Sequence, residues 1–224
     1  MNLTNDNIIH ISGENLDYIQ FKRLLEYEDI LTHAYTLKHP TINYNPNLTQ
    51  EEYQDNYKAI CQSLNLNETN VVRPQQRHTD QIKVINKKET DSIEYSPDYL
   101  KETDGLITNQ KDIVLSTTNA DCILFLLFEP IKKVIANVHS GWRGTVNKMG
   151  QVTIEAMQKE YGSRPKDLYC AIGPSICQDC YEVSRDVAEE FMKAFLGHED
   201  EILWQKSEEK FQLNLWKANE IVML

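Results

Sequence analysis

Cys122-Ile-Leu-Phe-Leu-Leu-Phe128 and Val134-Ile-Ala-Asn-Val-His139 are two apolar runs joined by Glu129-Pro-Ile-Lys-Lys133. Short apolar runs on either side of a polar, proline-bearing turn read as the two strands of a hairpin. A hairpin brings its open ends together, so Cys122 and His139 become neighbours in space. The unbroken apolar character of the first run predicts burial on both faces, at the centre of a sheet. Ile113–Thr117 reads as a third strand of that centre.

Outward from the hairpin the pattern alternates between strand and helix. On the N-terminal side, Ile8–Ile11, Val71-Val72 and Gln81–Ile85 read as strands, with polar loops around Pro40–Asn47 and over Lys87–Lys101. Thr49-Gln-Glu-Glu52 is a capping box, followed at helical spacing by Tyr53, Tyr57, Ile60 and Leu64. Asp104-Gly105 reads as a turn. On the C-terminal side, Val146, Met149, Thr153 and Met157 follow a helical period that Gly162 ends. Leu168–Ile172 is a strand. Ser184 caps a helix bearing Val187, Phe191 and Phe195, ended by Gly197, and Trp216–Leu224 is helical. Interspersed helices and hairpin-joined strands predict an α+β domain with a mixed sheet.

The 224 residues are 41% hydrophobic and 25% charged, as in an ordinary globular protein. A net charge of −11 argues against nucleic acid or an anionic membrane as partner. No apolar run approaches a membrane span. Met1-Asn-Leu-Thr-Asn-Asp-Asn lacks the basic region and apolar core of a secretion signal, which gives the expectation of a cytoplasmic protein. Its five cysteines are then reduced thiols rather than a disulfide framework.

Three side chains stand out chemically. His78 lies in Arg73-Pro-Gln-Gln-Arg-His-Thr-Asp80, and with Cys122 and His139 it makes a two-imidazole, one-thiolate set. Such a set suits zinc with one open position, where a water becomes a nucleophile near neutral pH. A single copper is also compatible, whereas six scattered histidines do not support a cluster of coppers. Two rival readings remain open. Cys122 and His139 form a nucleophile–base pair without metal, or Cys122 is a buried apolar thiol. Asp121 is a candidate for orienting a histidine or carrying a proton, against the plainer role of a turn carboxylate. Gly141-Trp-Arg-Gly144 opens a helix, and Gly141, Gly144 and Arg143 make a candidate phosphate cradle. Trp142 is placed to stack on a planar ring, although core packing is its default. Cys177-Gln-Asp-Cys180 is read as structural. The His-x-Glu that a zinc nucleobase deaminase needs is absent.

Asn119-Ala-Asp-Cys122, His139-Ser-Gly-Trp-Arg-Gly144, Ile172-Gly-Pro-Ser-Ile176 and Cys180-Tyr-Glu-Val183 closely resemble the motifs of the laccase-domain ("multicopper polyphenol oxidase") or YfiH family. Gln76-Arg-His78 is similar to its first ligand motif, Gln-x-His. The resemblance implies an α+β fold whose central mixed sheet is flanked by helices, likened to a toxin deamidase, in one domain over 1–224. It implies His78, Cys122 and His139 as zinc ligands and catalytic centre. It also implies a purine nucleoside enzyme that phosphorolyses adenosine, inosine and methylthioadenosine and deaminates adenosine, with nucleoside and phosphate as partners. Action on a peptidoglycan precursor and phenol oxidation with copper are the alternatives the family carries. Two departures accompany it. His33-Ala-Tyr-Thr-Leu-Lys38 stands where the family has His-Gly-Phe-Ser-Thr-Arg, and family members continue beyond this chain's last residue, so their C-terminal portion is expected to be missing.

Overall fold

The computed structural model describes residues 2–43, 48–86 and 100–224. Most of the expected loop at 87–101, and the loop around 40–47 from residue 44 onward, lie outside them. In chain order the elements are β1 (Ile8–Ser12), β2 (Asp17–Phe21), α1 (Lys22–Leu25), β3 (Tyr35–Thr36), α2 (Gln50–Ser63), β4 (Val71–Val72), β5 (Ile82–Val84), β6 (Gly105–Thr108), β7 (Val114–Leu115), β8 (Ile123–Glu129) and β9 (Val134–Ser140). Then follow α3 (Trp142–Val146), α4 (Met149–Tyr161), β10 (Tyr169–Ile172), β11 (Glu182–Ser184), α5 (Arg185–Ala194), α6 (Glu199–Ile202), β12 (Leu203–Gln205), β13 (Lys210–Leu213) and α7 (Leu215–Met223). The fold is α+β with a mixed central sheet. None of the described helices is long and apolar enough to cross a membrane.

The described residues form two compact units, one of 2–43, 48–72, 86 and 110–115, the other of 73–85, 100–109 and 116–224. In the first, β1, β2 and β3 make an antiparallel sheet in that order. The capping box holds as the sequence predicts. Thr49 Oγ1 accepts from the Glu52 amide at 3.2 Å, and Glu52 accepts from the Thr49 amide at 2.8 Å. Here also β4 pairs in parallel with β7. The expected strand at 113–117 is thus corrected. Only Val114–Leu115 is extended, and it joins Val71–Val72 instead of the central sheet. A two-residue apolar run fits either place, so its period could not decide.

The second unit carries the central sheet, ordered β10-β8-β9-β6-β5. The predicted hairpin β8/β9 is at its heart, with Leu124 opposite His139 and Glu129 opposite Val134. The buried Glu129 carboxylate closes its turn by accepting from the amides of Ile131 (2.9 Å) and Lys132 (3.1 Å). The place expected for Ile113–Thr117 is taken by β6, antiparallel to β9 and parallel to β5. Side chains alternate between faces. Ile123, Phe125, Leu127, Val134, Ala136 and Val138 face the helices, where they join Met149, Met157 and Ala218 in the core. Cys122, Leu124, Asn137 and His139 therefore belong to the opposite face.

The helix expected after Gly144 is split. The short α3 stops before Asn147, and Lys148 takes the left-handed conformation (φ 57°) ahead of α4. Nothing in a lysine announces that break. Gly162 ends α4 with φ 63°, as expected of a C-cap glycine. Ser184 sits at the start of α5, but its hydroxyl donates to the Asp186 carboxylate and not to the helix backbone.

Candidate metal centre

Strand direction explains why residues distant in sequence meet. β5, β6 and β8 run the same way and β9 runs against them. The segments entering β5, β6 and β8 and the C-terminal end of β9 therefore share one end of the sheet. His78 precedes β5, Asp104 immediately precedes β6, Cys122 immediately precedes β8, and His139 lies at the end of β9. Cys122 is two residues before Leu124, the partner of His139, so it stands diagonally beside His139 on the same face.

The potential ligand atoms of His78, Cys122 and His139 lie within 4.8 Å of one another. The Cys122 sulfur is 3.8 Å from His78 Nε2, and the two imidazole rings meet edge-on with centroids 5.0 Å apart. Among the described residues no other group of three His, Cys, Asp or Glu side chains converges in this way. Two imidazoles and a thiolate supply three of the four donors of a tetrahedral metal site of the zinc type.

Asp104 holds this arrangement. The Gly105–Val138 register places it opposite His139, whose amide donates to its carbonyl at 2.7 Å. Its carboxylate is fully buried. Oδ1 accepts from His139 Nδ1 (2.8 Å) and from the His78 amide (3.1 Å). Oδ2 accepts from the amides of Arg77 (3.1 Å) and Thr79 (2.7 Å) and sits 2.7 Å from the Thr79 hydroxyl. An ionised carboxylate only accepts, so Nδ1 carries the proton and Nε2 is turned to the ligand cluster. The same oxygens fix the His78 loop, where His78 takes φ 61°, a conformation that needs such external support.

Burial alone would raise the Asp104 carboxyl, but the hydrogen bonds from His139, Thr79 and Arg77 outweigh it and keep the group ionised. Burial likewise works against a proton on His139, yet Asp104 and the adjacent Cys122 sulfur hold that ring up at about 9 without a metal. His78 is lowered, first by desolvation and then by the neighbouring His139 and Arg143 charges, with Asp104 acting the other way.

Three further contacts stiffen the frame. The Gln76 side chain pairs like a peptide with Thr118, accepting from its amide (2.8 Å) and donating to its carbonyl (2.6 Å), which ties the His78 loop to the Cys122 loop. Asn119 Nδ2 donates to the Cys122 carbonyl and to that of Pro174 (3.2 Å). Beyond β9, buried Asn219 donates to Thr145 Oγ1 (2.9 Å), and Thr145 donates to the Gly141 carbonyl (3.1 Å).

The other expected residues divide. A Cβ on Gly141 would come within 2.6 Å of the His78 ring and 3.2 Å of the Cys122 sulfur, so glycine lets the backbone between β9 and α3 pass this close to the cluster. Gly144 is tight against Ser140 Oγ, at 3.2 Å from such a Cβ. Arg143 is exposed, with its guanidinium 4.3 Å from the centre of the Trp142 ring. Trp142 itself packs against the helix-side core. Asp121 is exposed, and its carbonyl accepts from the Ile176 amide at 3.0 Å. The carboxylate on a histidine is Asp104, which the sequence presented only as part of a turn. A two-residue Asp-Gly signal says nothing of a partner thirty-five positions away. Tyr181 was legible only as part of a family motif. Its phenol is raised by burial and then by the charges of Cys122 and Asp121, which places it within their electrostatic reach.

The fold and the site define an α+β protein with a His–Cys–His metal-type centre at one end of its mixed sheet. The chain belongs to the multi-copper polyphenol oxidoreductase laccase family, whose profile matches residues 42–224. It is 31% identical over 167 residues to adenosine deaminase RL5 from an unknown prokaryotic organism, covering 74% of this chain and 63% of that protein. It is 34% identical over 125 residues to purine nucleoside phosphorylase YlmD of Bacillus subtilis, covering 56% of this chain and 45% of that protein. The chain thus spans less than two thirds of the length of these curated relatives. The crystal structure of Bacillus licheniformis YfiH matches with a TM-score of 0.78 over 99% of this chain and 82% of that one, at 22% identity. YlmD from Geobacillus stearothermophilus matches with 0.75 over the same shares, at 20% identity. At such identities the likeness establishes the fold.

Proposed function

We propose that this chain is a zinc-dependent purine nucleoside enzyme, which phosphorolyses adenosine, inosine and methylthioadenosine and deaminates adenosine. The observation that carries the reading is the convergence of the His78, Cys122 and His139 donor atoms within 4.8 Å, with Asp104 behind His139. The names of the relatives supply the substrate class. Bound there, zinc supplies a Lewis acid with one open coordination position. Asp104 keeps the His139 tautomer that leaves Nε2 free to coordinate. Arg143, braced on Trp142, offers a planar fork of donors to phosphate, and Gly141 and Gly144 let backbone and ligand approach. In phosphorolysis a phosphate oxygen would bond to ribose C1′ as the C1′–N glycosidic bond breaks, the purine leaving with a proton. In deamination water would add at purine C6 and the C6–N bond would break, with Asp121 passing the proton of that water to the departing ammonia.

The test incubates the chain, loaded with one equivalent of zinc, with adenosine and with inosine, each with and without phosphate. Free base that appears only with phosphate, or ammonia from adenosine, supports the reading. No turnover of either nucleoside sinks it. Metal analysis of the purified protein separates zinc from copper, which such a site binds more tightly.

The contact of the Cys122 sulfur with both imidazoles favours a second reading, a metal-free Cys–His hydrolase acting on a peptidoglycan precursor. It requires covalent labelling of Cys122 by a substrate-like electrophile and activity that survives chelators.

A further inference from the structure

Cys177 and Cys180 lie at the two ends of one tight turn, Gln178–Cys180, for which Cys177 is the N-cap. The Cys180 amide donates to the Cys177 carbonyl at 3.1 Å. A bond of this kind closes a four-residue turn whose end Cα atoms lie within about 7 Å. A disulfide spans about 4.4–6.8 Å between Cα atoms, so the turn brings the two residues into the range where one can close. The Cys180 thiol and the amides of Cys180 and Asp179 hold the Cys177 thiol below its ordinary range. Cys180 is exposed and Cys177 partly so.

We propose that Cys177 and Cys180 form a redox-active dithiol that exchanges with low-molecular-weight disulfides of the glutathione class. The Cys177 thiolate attacks one sulfur of the small disulfide, forming a mixed disulfide and releasing the first small thiol. The Cys180 sulfur, losing its proton to water, then attacks Cys177 Sγ and releases the second. Two protein thiols are oxidised to one disulfide, and one small disulfide is reduced to two thiols. The two thiols differ in the sense that sets the order of events: that of Cys177 is lowered by its Cys180 and Asp179 neighbours, while that of Cys180 is raised by facing Cys177. The remaining cysteines are differently placed. Cys61 is buried, with its thiol pushed up to about 11 by that burial, Cys122 belongs to the metal-type cluster, and Cys170 stands on β10.

The position of the turn gives oxidation a consequence. Its stem is bonded to the segment that carries Cys122, through the Gly173 amide to the Leu124 carbonyl (2.8 Å) and the Ile176 amide to the Asp121 carbonyl (3.0 Å). Closing the turn covalently restricts the stem and slows opening of the Ile176 hydrogen bond.

The test treats the full chain with excess oxidised glutathione, blocks free thiols and maps the peptides by mass. The expected result is loss of two hydrogens in the peptide holding Cys177 and Cys180. In Cys180→Ser the reaction stops at glutathione on Cys177. In Cys177→Ser the remaining Cys180 takes up at most one glutathione and no internal disulfide forms. In the oxidised wild type, hydrogen exchange at Ile176 slows. The wild-type result needs no variant to fold. The dithiol assignment is overturned if both thiols of the wild type stay alkylatable, or if glutathione accumulates first on Cys180. An unchanged Ile176 exchange rate overturns the coupling to the Cys122 segment.

Discussion

His33 and His139 are both buried, 8% and 3% exposed, yet their surroundings drive them in opposite directions. In the first unit, His33 stacks on Phe21, accepts the Phe21 amide at Nε2 (2.8 Å), and has no hydrogen-bond partner at Nδ1 among the described residues. Burial then dominates and takes its pKa down to about 4. In the second unit, His139 has a carboxylate at one nitrogen and a sulfur at the other, and these override burial. Burying an imidazole makes it neutral and inert. Burying it against an ionised group that fixes one nitrogen and leaves the other facing a thiol and a second imidazole keeps it polar and makes it a candidate metal ligand. Four experiments break or sharpen this contrast.

The largest effect falls on Asp104→Asn. An amide cannot accept at both ends, so an NH2 group must face either His139 Nδ1 and the His78 amide, or the Arg77 and Thr79 amides. The first orientation forces His139 into the wrong tautomer. The second leaves buried donors unmet. Metal affinity is expected to fall by about 10–100-fold, and stability by about 3–5 kcal/mol. Chelator competition and denaturant unfolding measure the two separately. An unchanged affinity in a folded variant would break the contrast, because His139 would then need no carboxylate.

Next is the acid side of the stability curve. His33 titrates at its ordinary 6.5 when unfolded and at about 4 when folded. Between these values the unfolded chain binds more protons, so this contribution is complete above pH 6.5 and is lost as pH falls towards 4. It amounts to about 3 kcal/mol in all. His33→Gln keeps an acceptor without the titration and flattens the curve over that window. A wild-type curve already flat between pH 6.5 and 4 would remove His33 from the comparison. In the metal-free protein the raised His139 works in the other sense, stabilising below pH 6.5 and losing that contribution as pH rises through about 9.

The difference between the two histidines was only half legible in the sequence. The β8/β9 hairpin could be read because seven consecutive apolar residues, Cys122–Phe128, leave one continuous signal, and with it the meeting of Cys122 and His139. The convergence of His78 could not be derived from spacing and came from likeness to a family motif. β6 was missed because Gly105-Leu-Ile-Thr108 is short and opens with a turn-like Asp-Gly pair, while Ile113–Thr117 resembled a strand more closely. Asp104 was lost with β6, since its role depends on the register with β9. The left-handed backbones of His78 and Lys148 carry no mark in residue type. Long-range register and strained loop geometry are products of packing, and a local pattern does not contain them.

A smaller effect is expected for Gly141→Ala. The new methyl meets the His78 ring, which is exposed and able to move, so stability changes by less than about 1 kcal/mol. The ligand itself is displaced, and metal affinity falls about tenfold. Equal loss of stability and affinity would mean that Gly141 serves the backbone and not the ligand cluster.

The smallest effect separates the two oxygens of Asp104. The Thr79 hydroxyl lies 2.7 Å from Oδ2 and 2.8 Å from the Glu102 carbonyl, and its one proton serves only one of them at a time. Thr79→Val removes that donor while Oδ2 keeps the Arg77 and Thr79 amides. Oδ1 and its bond to His139 are untouched. Stability should fall by about 1 kcal/mol, with metal affinity and the 15N shifts of the His139 ring staying at their wild-type values. If affinity drops as it does in Asp104→Asn, the total hydrogen bonding of the carboxylate governs the site. If it does not, the single Oδ1 contact is what distinguishes His139 from His33.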